Sequence, residues 1–365
     1  MRSKPRTCQA ALAVVGSLLA LAAMPFGAAN ADGGGTPAPG APVNLLAIDG
    51  HGRYDAGEPV PGPPGSFVGI DGLFYGPASF VTPGGNGQLF VGEEFDMLCG
   101  AAGKAFDGGL RRMGKLAALI EKSGRRALFA VAPNKSSVET PSLPVPLPHG
   151  ECDAAGMDRD RTSLDKEAKN PRFVPVLKEL TRTPYAFWKT DTHWDTVGAS
   201  VYAQQVAGKL SPKLANQQRY LDTTRTKLGD LVFPYPEVVP ETAPARVPAN
   251  GVTMSPAPGE PTFDPTLQHI YLHLAWDSSP ARKVWPGRTL FLGDSFTYTA
   301  LESLGNLVRH GQFMWLGYHS DDELAAAIKD SDTVVITVVQ RFVSATQAQT
   351  PSLRKAVKQV LRSHR

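Results

Sequence analysis

The chain has 365 residues, with 37 basic and 34 acidic side chains and a formal net charge of +3. That length suits one large domain, or a domain with a sizeable insertion. So even a balance of charge leaves no bulk field for binding nucleic acid or a strongly acidic substrate.

Residues 1–31 read as an export signal. Arg2, Lys4 and Arg6 form a basic start, Ala10 to Ala23 is almost wholly apolar, and Ala29-Asn30-Ala31 supplies a small-x-small cleavage pattern before Asp32. A retained anchor is the alternative, although the apolar run is short for a membrane span. Cys8 precedes the run and is not placed as a lipoprotein cysteine. Cleavage would remove three basic and no acidic residues, leaving the exported chain neutral and placing it outside the cytoplasm. Residues 32–44, with Gly33-Gly34-Gly35 and Pro37, Pro39 and Pro42, read as a flexible tether. The domain then runs from 45 to 365, with no internal repeat and no second hydrophobic span.

Export leaves two cysteines, Cys99 and Cys152. An even count in an oxidising compartment predicts one disulfide, against the alternative of two separate thiols.

Gly84-Gly85-Asn86-Gly87 is a turn signal before a strand at Gln88–Val91. Leu110, Met113, Leu116 and Ile120 share a helix face, and Ala127 to Ala132 is a fully apolar strand. A helix followed by a continuous apolar strand predicts a parallel sheet covered on both faces. Ligands bind beyond the carboxyl ends of such strands, where Asn134 and Lys135 stand. Lys135 is a candidate substrate contact, or a solvated loop charge.

Residues 136–170 read as irregular and polar, so a Cys99–Cys152 bond would staple a loop. A helix is expected over Val174–Leu180 and a strand over Tyr185–Trp188. Thr190-Asp191-Thr192-His193-Trp194 then falls at a strand end. Asp191 and His193, two apart, can lie on one side and serve as a base with its orienting carboxylate. A surface pair or two metal ligands are the alternatives; the other histidines form no cluster at zinc-ligand spacing, and no metal is assigned. Thr196–Leu210 is predicted helical, with Trp194 packed beneath the histidine or simply in the core. Residues 230–287 are dense in proline and read as a long insertion, either a substrate-facing lid or inert.

Thr289–Leu292 reads as a buried strand running into Gly293-Asp294-Ser295-Phe296. Leu301, Leu304, Leu307 and Val308 recur at helical spacing behind it. A serine at such a strand-to-helix turn is lifted from the sheet, with free helix N–H groups behind it. Asp294 and Ser295 could equally be a helix cap. Gln312–Leu316 and Thr333–Val339 are strands, Asp322–Lys329 and the segment after Thr350-Pro351 are helices, and the βαβαβ alternation is that of a doubly wound sheet.

Taken together, Asp191-Thr192-His193-Trp194, Gly198-Ala199 and Gly293-Asp294-Ser295-Phe296 resemble the alginate O-acetyltransferase family of SGNH-hydrolase-like proteins. Asn86-Gly87-Gln88-Leu89-Phe90 and Ala132-Pro133-Asn134-Lys135 add weaker similarity, and the whole covers most of residues 80–345. Ordinary SGNH hydrolases carry the Gly-Asp-Ser block first; here the order is reversed, as in a circularly permuted sheet. The resemblance implies an α/β fold with a doubly wound parallel sheet flanked by helices, and a triad of Ser295 as nucleophile, His193 as base and Asp191 as its orienter. It implies acetyl transfer to a polysaccharide hydroxyl without a cofactor, and a membrane-bound partner that passes the acetyl group outward. Where the family's oxyanion asparagine would lie, this chain has Gln340-Arg341, which makes Arg341 a substrate or oxyanion candidate; Gly317 and Tyr318 are comparably placed. Nothing in the sequence specifies alginate. An acetyl esterase with the same triad, and a non-catalytic polysaccharide-binding protein, are the competing readings.

Overall fold

The computed structural model describes residues 81–232, 240–249, 251–257, 272–278, 284–344 and 350–363, with two short strands at 67–68 and 74–75. The expected signal and tether lie outside the described residues, as do parts of the proline-rich stretch. Among the described residues no helix is long and apolar enough to cross a membrane.

In chain order the strands are β1 (Phe67–Val68), β2 (Phe74–Tyr75), β3 (Val81–Pro83), β4 (Leu89–Val91), β5 (Arg126–Ala132), β6 (Phe173–Val174), β7 (Tyr220–Lys227), β8 (Glu241–Pro248), β9 (Ser255–Pro256), β10 (His273–Asp277), β11 (Trp285–Gly293), β12 (Val308–Trp315) and β13 (Thr333–Val339). Seven of them form the central sheet, in the order β6-β5-β13-β11-β12-β10-β9. The first five are mutually parallel, and β10 and β9 join antiparallel at one edge. Every residue of β13 is buried, as is β5 from Ala127 onward. Such strands read as unbroken apolar runs because helices cover both faces of a parallel sheet.

The helices are α1 (Glu93–Asp96), α2 (Gly100–Glu121), α3 (Lys135–Val138), α4 (Glu151–Glu167), α5 (Leu177–Leu180), α6 (Thr196–Leu210), α7 (Pro212–Gln217), α8 (Ser295–Thr299), α9 (Leu301–Gly305), α10 (Asp321–Lys329) and α11 (Thr350–Ser363). Helix α2 lays Leu110, Met113, Ala117 and Ile120 into the core and packs on β5 and α11. Helix α6 packs against α7, α9 and β8. Ser320 and Glu323 close a capping box at the start of α10, which satisfies two N–H groups that have no partner within the helix.

Four local expectations are revised. Residues 136–170 are not irregular: α4 occupies Glu151–Glu167, with acidic Glu151 and Asp153 in its first turn and few buried side chains. Its apolar stripe is too sparse to announce it. Val174 belongs to the edge strand β6 and only Leu177–Leu180 is helical. Tyr185–Trp188 forms no strand; a single bridge, Phe187 to Trp194, closes a loop there. The helix behind Ser295 breaks at Ala300 into α8 and α9, and Val308 opens β12.

Cys99 and Cys152 form a disulfide, with Cα atoms 5.8 Å apart and a sequence separation of 53. The bond joins the N-terminal end of α2 to the first turn of α4, so it staples two helices rather than a loop. Replacing both cysteines with serine is expected to lower stability by about 2–4 kcal/mol through the freed unfolded chain. Denaturant unfolding of the variant measures this, and an unchanged midpoint would show that other contacts already restrain α4.

Candidate active site

Because β5, β11, β12 and β13 run parallel, their carboxyl ends share one edge. Asn134 and Lys135, Asp294 and Ser295, Gly317 and Tyr318, and Gln340 and Arg341 all follow those ends, at the edge where open α/β sheets place their sites.

Ser295 begins α8 and is partly exposed, and its hydroxyl makes no hydrogen bond among the described residues. Asp294 is the helix cap: its Oδ1 accepts the Phe296 N–H at 3.0 Å, and its Oδ2 accepts the Val339 N–H at 2.6 Å, tying the turn to the end of β13. Burial pushes the Asp294 carboxyl up. The cap is therefore Asp294, and the Ser295 side chain takes no part in it. Gly293 serves close approach, since a Cβ there would stand 1.9 Å from Thr297 Oγ1. With only five residues, α8 contributes less helix field than a long helix would.

The Asp191–His193 pair lies in the loop between Trp188 and α6. Asp191 is fully buried. Its Oδ1 accepts both the His193 Nδ1–H and the His193 backbone N–H at 2.8 Å. Its Oδ2 accepts the Asp230 N–H at 3.2 Å and pairs with the Lys227 ammonium. Burial alone would raise the Asp191 carboxyl; the His193 bond and the Lys227 charge outweigh it and hold the group well below the usual carboxylate range. Burial lowers the His193 imidazole, but Asp191 and then Asp230 lift it to about 9. A carboxylate only accepts, so Nδ1 carries the proton and Nε2 of the neutral ring is the free base. That Nε2 is buried without a hydrogen-bond partner.

Phe296, next to Ser295, packs its ring 5.0 Å from the His193 ring and 5.1 Å from Trp194, which in turn stacks on Tyr202 at 5.1 Å. The aromatic wall therefore brings the histidine against the serine turn. No hydrogen bond joins Ser295 to His193 among the described residues, an arrangement common before substrate binds.

Lys135 is not a solvated loop charge. It is fully buried, and its Nζ donates to the carbonyls of Leu89 and Lys189 at 2.7 Å and of Asp191 at 3.2 Å. Burial pushes its ammonium down to about 8, against the pull of Glu94 and Asp191. Arg341 is 6% exposed, its guanidinium 5.6 Å from the Phe296 ring and 5.2 Å from that of Phe342, with Nε 3.3 Å from Glu93 Oε2. Its Nη1 is buried without a hydrogen-bond partner. Lys135 and Arg341 are thus both buried, whereas nearby Lys189 is exposed. Gly317 is exposed in the turn after β12, and Tyr318 stands edge-on to Trp315, which contacts Tyr298 of α8.

Lys227, Asp230 and Glu241, none of them legible as site residues in sequence, all reach this loop. Asp191, His193 and Asp230 offer ligand atoms within 4.8 Å of one another. The Lys227 ammonium already holds Asp191, and a metal cation would have to displace it.

A mostly parallel sheet flanked by helices, with its candidate groups at the carboxyl edge, places the domain among the SGNH hydrolase-like folds. The family model described as "ALGX: SGNH hydrolase-like domain, acetyltransferase AlgX" matches residues 81–272, more than half of the chain, and the chain belongs to that family. The matched span contains Asp191 and His193 and ends before Ser295. No curated protein matches the sequence. Among solved structures, Bacillus cereus PatB1 with a sulfonyl adduct shares the fold at a TM-score of 0.52 and 14% identity, over 72% of this chain and 94% of that one. The O-acetyltransferase domain of Pseudomonas putida AlgJ aligns at 19% identity and a TM-score of 0.46, over 78% of this chain and 99% of that one.

Proposed function

We propose that the protein is an exported O-acetyltransferase that moves acetyl groups onto hydroxyls of a polysaccharide outside the cytoplasm, through an acetyl-serine intermediate. Residues 45–365 are its single catalytic domain, behind a cleaved signal (1–31) and a tether (32–44). The observation that supports the reading is the His193 ring, held through Nδ1 by buried Asp191, with Nε2 free of a hydrogen-bond partner and Phe296, the neighbour of Ser295, packed 5.0 Å from the ring.

Ser295 Oγ attacks the acetyl carbonyl of the donor while His193 Nε2 takes its proton. The carbonyl–leaving group bond breaks, the proton passes to the leaving group, and acetyl-Ser295 remains. A sugar hydroxyl then attacks the ester, His193 takes that proton, and Ser295 Oγ leaves and recovers it. The Ser295 N–H and the unpartnered Arg341 Nη1 supply positive potential to the oxyanion. The aromatic row Tyr298–Trp315–Tyr318 supports an acceptor sugar beside the serine. The acetyl donor is a membrane-bound protein, as the family resemblance implies.

Residues 32–365, incubated with p-nitrophenyl acetate and neutral or uronic oligosaccharides, are expected to yield acetylated sugar by mass spectrometry. Free acetate alone with every acceptor would replace the transferase by an esterase using the same groups.

A further inference from the structure

Strands β7 and β8 pair antiparallel from Tyr220↔Pro248 to Lys227↔Glu241. Strand β7 is largely exposed, whereas β8 buries Ala243 and Ala245 and packs on α6 and α9. The hairpin's turn end, Glu241 and the residues just beyond β7, is also fastened to the Asp191–His193 loop. Glu241 Oε2 accepts from the Lys189 N–H at 2.8 Å and from the Thr190 N–H and Oγ1–H at 3.2 Å. The Leu231 N–H donates to the Thr190 carbonyl at 3.1 Å. A Cβ on Gly229 would stand 1.9 Å from that carbonyl, so glycine alone permits the approach. Leu231 and Val232 anchor the segment in a small apolar cluster with Val81, Leu89 and Val91.

Asp230 sits between these anchors. Its Oδ1 accepts the Thr192 N–H at 2.7 Å, and its Oδ2 accepts the Thr192 hydroxyl at 2.5 Å and lies 3.4 Å from His193 Nδ1. We propose that Asp230 is a second carboxylate for His193, a positioning residue delivered by the β7–β8 hairpin that aims Nδ1 and raises the ring's affinity for a proton. The inference rests on the reading of His193 as the base.

The charge pattern explains why a second carboxylate is useful. Lys227 pairs with the far oxygen of Asp191, which divides the pull Asp191 exerts on the histidine. Asp230 has no cation other than His193 within ion-pair distance among the described residues. The remaining charges around the ring are Asp294 and Arg341 from the sheet edge, and Lys135 and Glu241 beneath the loop. None of these contacts Nδ1. Asp230 is 36% exposed, and solvent therefore holds its effect to the low end of what a neighbouring opposite charge produces.

The test is the titration of the His193 imidazole by NMR, its resonance identified by loss in His193→Ala, beside kcat/KM against pH. In the parent the ring is expected to titrate at about 9, where Asp191 and Asp230 lift it. A base works when neutral, so activity rises with pH through that value. Asp230→Asn keeps an acceptor for Thr192 and removes the charge. It is expected to move both the titration and the rising limb about one unit lower, with a plateau kcat roughly 3- to 10-fold below the parent because the ring is a weaker base. Asp230→Ser, smaller and neutral, is expected to shift both in the same sense and serves if the asparagine variant does not fold. A lower rate with the titration and limb unmoved would reduce Asp230 to a loop-shaping residue and overturn the inference. Full activity in His193→Ala would instead remove the base itself, which separates failure of the triad from failure of this inference.

Discussion

Ser295→Ala is expected to lower both acetyl release and acetyl transfer by roughly 10⁴-fold or more, with the unfolding midpoint unchanged. The clean separation follows from the local bonding. The hydroxyl makes no hydrogen bond among the described residues, while the turn is held by Asp294 on Phe296 and Val339 and by Phe296 in the aromatic wall. Removing one partly exposed oxygen leaves all of that in place, and surface changes of this kind move stability by less than about 0.5 kcal/mol. Nucleophile and base act as a unit, so Ser295→Ala with His193→Ala is expected to be no slower than either alone. Steady-state rates with p-nitrophenyl acetate measure both. Equal rates in parent and Ser295→Ala would remove the serine as nucleophile.

Lys135→Met is expected to act mainly through the fold, lowering stability by roughly 3–5 kcal/mol. The ammonium gathers carbonyls from three places, Leu89 in β4 and Lys189 and Asp191 in the loop before α6. Methionine fills similar volume and offers no proton, leaving those carbonyls without this donor and buried Glu94 with Arg341 but without the Lys135 charge. For a domain of this size each kcal/mol is about 2–4 °C, so the melting temperature is expected to fall by roughly 6–20 °C. Because one of the three carbonyls belongs to Asp191, activity below the transition is expected to fall as well. An unchanged melting temperature would show that the β7–β8 hairpin alone fixes the loop.

The contrast between these two residues shows what can be read from sequence. The position of Ser295 at a strand-to-helix turn was legible because its signal is local: an apolar strand, a glycine and a short helix in direct succession. Asp191 and His193 were legible because a two-residue separation lets one side chain fold onto the other, as their 2.8 Å bond shows. Lys135 was placed correctly at a strand end, yet its burial on backbone carbonyls was not legible. Whether a lysine at a strand end meets water or backbone depends on what packs over it, and here β4 and the Asp191 loop do. The Asp191 loop itself was expected at a strand end, but its backbone groups pair with β4, α6 and the hairpin instead of a ladder.

Helix α4 escaped notice because it is held by a disulfide and polar contacts rather than by an apolar stripe. Arg341 was located by counting to the end of β13; its burial against Phe296 and Phe342 was not countable.

By itself the sequence determined the order and type of the principal strands and helices, the parallel sense of the central sheet, and which side chains follow its carboxyl ends. Each of these rests on periodicity or adjacency within a few residues. Only the tertiary structure decided which charges meet the histidine. Lys227, Asp230 and Glu241 come from a polar hairpin more than thirty residues beyond His193, and a contact across that distance leaves no local pattern, because it is made by packing two separately formed elements together.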